Sequence, residues 1–187
     1  MAEYKYIHEK KKRPHQKEPK SQERLNAERG KFSFTEIHGF SLKEVDWEVP
    51  PMQVRKRKRA QFAKIRVEFL KELGRNHEAE LRAMGMSDKD IKQVKKGTNP
   101  NGYNVHHKLP LHGGGQNEFS NFILMPIKEH DDLHHKVMDP QVQNMQTGDK
   151  KKVVIPWTDD MVYVSPERKK ARQNTAVIAK AMNNRSR

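Results

Sequence analysis

The chain has 187 residues, and its 38 Lys and Arg outnumber 24 Asp and Glu, giving a formal net charge of +14. Leu, Ile, Val and Phe together number only 37, so length and composition predict a modest core with basic extensions rather than a uniformly packed globule. Cysteine is absent, which excludes a disulfide scaffold, a Cys-ligated zinc ribbon and a thiol nucleophile; nor does any apolar run approach the roughly 18 residues of a membrane span.

The charge is uneven. Residues 1–97 carry a net +10 and residues 141–187 a net +6, whereas residues 98–140 carry −2 and hold six of the ten histidines. A His-rich segment between cationic flanks suits a polyanion such as nucleic acid, because each Lys or Arg placed on a phosphate releases a counterion. An anionic membrane surface is the weaker alternative.

Residues 1–30 have few apolar positions and no period, and read as a basic mobile tail without a secretory h-region. Residues 31–51 mix Phe32, Phe34, Ile37, Phe40, Val45 and Trp47 with turn residues. They read as an aromatic strap or linker ending at Pro50-Pro51. The principal domain is expected over 52–187. Phe62, Ile65, Phe69 and Leu73 follow helical spacing, with Leu70 on the same side and a basic run, residues 55–59, ahead of them. Residues 75–85 predict a second helix, with Gly74 and Gly85 as ends. A third starts at the capping pair Ser87-x-x-Asp90, buries Ile91 and Val94 and stops at Gly97.

After the loop 97–102, residues 103–107 read as a short strand, and the glycines of 112–121 predict a loop. Residues 121–127 predict a buried strand ending at Pro126, and 128–139 a helix closed by Pro140. Residues 153–157 and 161–164 read as a hairpin about Thr158-Asp159-Asp160, and 166–182 as a terminal helix with a weak apolar side at Ala176, Val177, Ile178, Ala179 and Ala181.

His106 and His107 end the first strand, and His130 and His134 lie four apart on one helix face. Packing the hairpin on that helix brings three imidazoles around one cation. Neighbours on a strand point to opposite sides, so one of His106 and His107 can be a ligand while the other faces substrate. Metal-assisted hydrolysis needs that division between a cation and a general base.

The segment VHHKLPLHGGGQNEFSNFILMPIKEHDDLHH resembles the HNH motif of the ββα-metal nucleases: His106-His107, then Pro110, Gly113-Gly114-Gly115, Asn121 opening the second strand, and His130 and His134 on the helix. The double His and the His-x-x-x-His spacing are most similar to the colicin and pyocin DNases and related bacterial toxin nucleases. The resemblance implies an α+β fold. Its core would be a two-stranded antiparallel hairpin plus helix over 103–139, surrounded by helices. It also implies His106, His130 and His134 as ligands of one divalent metal, His107 as the general base, and Asn121 as the residue that fixes the loop and helps orient that base. Three imidazoles favour Zn²⁺ or Ni²⁺, with Mg²⁺ possible. His135 competes with His134 for the last ligand position, with poorer helix geometry. The chain departs from the colicin pattern at Tyr103-Asn104-Val105, where an acid is absent. Residues 98–140 hold no Arg, so phosphate clamping falls to Lys108, Lys95, Lys96 or the arginines Arg55, Arg57 and Arg59.

The resemblance implies a metal-dependent endonuclease that hydrolyses DNA, acting as an antibacterial toxin effector. It would be monomeric, cytoplasmic when made, neutralised by an acidic immunity protein and delivered without a signal peptide. The alternatives are a phage or restriction type HNH nuclease, and a non-enzymatic basic nucleic-acid-binding module whose histidines hold a structural metal.

Overall fold

The computed structural model describes residues 39–174. The tail of residues 1–30 and the apolar positions 176–181 lie outside the described residues. The elements run β1 (Ser41–Glu48), α1 (Met52–Asn76), α2 (Glu78–Met84), α3 (Asp88–Lys95), β2 (Tyr103–His107) and β3 (Phe122–Pro126). Then follow α4 (Ile127–Asp132), a π-helical turn (Leu133–Met138), α5 (Asp139–Val142), β4 (Lys150–Trp157) and a helix, α6, described over 166–174. The class is α+β, and the described residues form two small antiparallel sheets, β1 with β4 and β2 with β3.

In the first sheet Ser41 faces Trp157 and Glu48 faces Lys150. Val45 and Trp47 alternate inward, while Glu44, Asp46 and Glu48 face outward against Lys152 and Lys150, with ion pairs of 3.0–3.6 Å. These pairs are exposed and add little beyond register. In the second sheet His106 faces Ile123 and His107 faces Phe122. Four successive residues of β3, Phe122 to Met125, are fully buried. They pack with Phe69, Leu70 and Leu73 of α1, Leu81 of α2, Ile91 and Val94 of α3, and Leu133 and Met138 of the π-helical turn. Each such side chain contributes about 1.5–3 kcal/mol of burial free energy.

Several expectations need correction. The 31–51 segment is no linker over its described part, because 41–48 is a strand of the same fold and Trp47 sits in the core. The fold therefore begins ahead of residue 52. Gly74 does not end a helix. It lies inside α1 where α3 crosses, and a Cβ there would stand 2.7 Å from the Lys95 Cα. Gly85 does end a helix, in the left-handed conformation, and Ser87 caps α3 through the full capping box with Asp90. The loop 112–121 contains two 3₁₀ turns, Leu111–Gly113 and Phe119–Asn121.

Pro140 does not close the helix. The π-helical turn resets the hydrogen-bond ladder, so Pro140 falls in the first turn of α5, where its missing N–H costs nothing. The 153–164 hairpin does not form, since β4 takes β1 as its partner instead. Residues 161–163 run beside β3, with Leu124 N–H donating to Met161 O and Tyr163 N–H donating to Leu124 O, both at 2.9 Å. Among the described residues no helix is long and apolar enough to cross a membrane.

Candidate metal centre

The last two residues of β2 divide the site. His106, 3% exposed, turns toward α4 and the π-helical turn. Its ring centroid lies 5.2 Å from that of His130 and 5.0 Å from that of His134, and those two are 4.7 Å apart. One nitrogen from each ring falls within 4.8 Å of the others, so the three can bind one metal ion. His130 Nδ1 pairs with Asp131 Oδ1 at 2.9 Å, and His134 Nδ1 lies 3.5 Å from Asp139 Oδ1. Both contacts engage Nδ1 and leave Nε2 for a cation. Burial, then the neighbouring His134 and His130, hold the His106 imidazole well below its ordinary range. Burial also lowers His130, against the opposing hydrogen bond with Asp131. These two rings are neutral near pH 7, and neutral imidazole is the ligand form. His135 is outside the cluster, with a side chain 75% exposed and directed at Asp139 Oδ2 at 3.5 Å.

His107 takes the opposite side of β2. Its ring rests on Phe62 of α1 and on Phe122, with centroids 4.4 and 4.8 Å away. Asn117 donates its amide to Lys58 O at 2.8 Å, so its Oδ1 accepts from His107 Nε2 at 2.9 Å. That arrangement puts the imidazole proton on Nε2 and leaves the Nδ1 lone pair free. Burial lowers the His107 pKa, and the hydrogen bond to Asn117 partly opposes it, so the ring is neutral at pH 7.

Asn121 does not touch His107 through any hydrogen bond. Its Oδ1 accepts from Leu109 N–H at 2.9 Å, and its Nδ2 donates to Leu109 O and Gln116 O at 3.0 and 2.9 Å. It locks the glycine-rich loop, and the orienting contact expected of it belongs to Asn117. The loop is also fixed by close approach. A Cβ on Gly113 would strike the Trp47 indole at 2.5 Å, and one on Gly115 would strike Leu109 O at 1.8 Å.

The basic candidates separate. Lys108 is buried, its ammonium donating to Ser120 O at 2.9 Å, so the structure removes it as a phosphate clamp. Lys95 and Lys96 are exposed, but Lys95 is paired with Glu78 at 2.6 Å and packs on Gly74, far along α1 from Phe62. Arg57 and Arg59 are exposed on α1, and Arg55 is half-buried there. Sequence reasoning missed Asn117, which nothing in the sequence separates from Gln116, and Asp139. Asp139 lies five residues after His134, a spacing that a regular α-helix turns away from contact and that the π-helical turn restores.

The chain is similar over 140 residues, at 30% identity, to the uncharacterized protein YhhZ of Escherichia coli (strain K12). The match takes 74% of this chain and 34% of YhhZ, so the chain spans about a third of that relative's length. No family model matches the chain. No solved structure matches it.

Proposed function

We propose that the chain is a metal-dependent endonuclease of the HNH, ββα-metal type that hydrolyses phosphodiester bonds of DNA. One observation carries the reading: adjacent histidines on one strand serve opposite sides, His106 among the triad and His107 held by Asn117 with a free Nδ1. His106, His130 and His134 would hold one divalent ion, with Zn²⁺ or Ni²⁺ favoured by imidazole and Mg²⁺ the alternative. When bound, that ion supplies positive charge to the phosphate and to the departing oxygen.

His107 Nδ1 accepts a proton from water, and the water oxygen bonds to phosphorus as the bond to the 3′-oxygen breaks. The leaving oxygen takes a proton from solvent, giving a 5′-phosphate and a 3′-hydroxyl. Asn117 keeps the imidazole in the tautomer this requires. The role as an antibacterial toxin effector, with delivery into a target cell and an acidic immunity protein, belongs to the same proposal and rests on the resemblance of the motif alone.

Plasmid nicking by the purified protein tests this. Cleavage with Zn²⁺, Ni²⁺ or Mg²⁺, abolished by EDTA and by His107→Ala, is the expected result. Salt-dependent DNA binding with no cleavage under any of these metals would replace the enzyme with a binding module that carries a structural metal.

A further inference from the structure

The basic start of α1 differs from the rest of that helix. No acid occurs between residues 49 and 67, and the first turn of α1 has neither an acidic residue nor a side-chain cap. Farther along, cations are matched: Lys71 pairs with Glu68 at 2.9 Å and Arg75 with Glu72 at 3.0 Å. Arg55 and Arg59, one turn apart on one face, form no ion pair among the described residues. The helix dipole adds positive potential at the same end.

Two buried donors lie in this neighbourhood without an acceptor among the described residues, Arg55 Nε and Trp47 Nε1. Trp47 is fully buried, and its ring meets His112 edge-on at 4.9 Å. His112 belongs to the 3₁₀ turn that packs against both α1 and β1. Burial and then His134 hold the His112 ring low, with Asp139 opposing and Arg59 and Arg55 adding to the fall. The turn packs against the helix that bears the two arginines and against the strand that bears Trp47. A group of N–H donors without acceptors, beside a metal centre, calls for a polyatomic anion.

We propose that Arg55, Arg59 and His112, with Trp47 at their back, form a second phosphate subsite that grips a backbone phosphate next to the one presented to the triad. The proposal rests on the reading that a polynucleotide is the ligand. Arg59 contributes charge from the exposed side, Arg55 a fork of donors from the half-buried side, and the His112 ring an N–H donor from the loop. The subsite sets the register of the strand across the metal centre, while cleavage remains with His107.

The test uses the full chain in a His107→Ala background with EDTA, so that binding is read without cleavage. Affinity for a short DNA duplex is measured across a salt series for the background and with Arg59→Gln, Arg55→Gln or His112→Gln added. Lys89→Gln, an exposed cation on α3, is the control. Each arginine change is expected to weaken binding about tenfold and to lower the slope of log K against log salt by about 1, while Lys89→Gln changes neither.

Arg59 is exposed, so its loss leaves folding intact and keeps the test decisive. An unchanged slope in Arg59→Gln and Arg55→Gln, or an equal loss in Lys89→Gln, overturns the subsite even if the unmutated chain cuts DNA. A fall in slope for the arginine variants upholds it even if the chain cuts nothing. Inorganic phosphate is run in parallel, and an affinity for it equal to that for the duplex overturns the assignment to a polynucleotide backbone.

Discussion

Two asparagines close together on one loop have separable duties. Asn117 gives its carbonyl to His107 and its amide to Lys58 O, whereas Asn121 bonds the backbone of Leu109 and Gln116 through both its oxygen and its amide. On the proposed endonuclease reading, Asn117→Ala is expected to lower kcat about tenfold while leaving the midpoint of thermal unfolding near that of the unmutated chain. Asn121→Ala leaves backbone groups without partners, and is expected to cost about 2–4 kcal/mol, read by urea unfolding. On the same reading, His107→Ala is expected to cut the rate at least ~10²-fold with Zn²⁺ affinity retained, because its ring faces away from the triad. His134→Ala loses that affinity and His135→Ala keeps it, which calorimetric titration with Zn²⁺ distinguishes.

At the scale of elements, the motif was the most legible part of the sequence. Strand β2 occupies the span its residues imply, and both the capping box at Ser87 and the left-handed Gly85 are local signals that sequence carries directly. What sequence left hidden depends on partners distant in the chain. Nothing near residues 41–48 announces β4 as its partner more than a hundred residues later, and the apolar run 153–157 could as well have turned back on 161–164. Pro140 was misleading because the π-helical turn that accommodates it is a tertiary feature. Asn121 was visible as part of the motif, but its hydrogen-bond partners were not. Gly74 likewise read as a stop because its reason, the crossing of α3, lies twenty residues on. Gly74→Ala tests that reason. Helix propensity alone favours Ala by about 1 kcal/mol. The Lys95 backbone at 2.7 Å is expected to reverse the sign, giving net destabilisation of about 1–3 kcal/mol in denaturant unfolding.

For the whole molecule, stability follows the protonation of its inward histidines. His106, His107, His112 and His130 all have pKa values lowered chiefly by burial, so the folded state resists protons that the unfolded chain accepts near its ordinary value of about 6.5. The contribution is complete above that pH and is lost as pH falls from it toward the lowered folded values. The metal-free protein is therefore expected to show a melting temperature that is flat between pH 7 and 8 and declines below about 6.5. A saturating divalent ion adds about 2.7 kcal/mol at a hundredfold excess over its Kd. That gain shrinks as acid competes for the same nitrogens, and differential scanning fluorimetry across the pH series with and without Zn²⁺ reads both effects.

The helical run that carries His130 and His134 continues to Gln141, which closes the border of the first sheet. The Gln141 side chain donates to Val154 O at 2.6 Å and accepts from Val154 N–H at 3.1 Å, taking the place another strand would fill. By alternation the backbone groups of Lys152 and Pro156 face the same way, one beside a solvated cation and the other without an N–H to offer. A lysine, a borrowed amide and a proline thus keep β4 from recruiting a neighbouring molecule. Gln141→Ala would unseal this margin, and sedimentation velocity is expected to show self-association growing with concentration where the unmutated chain stays discrete.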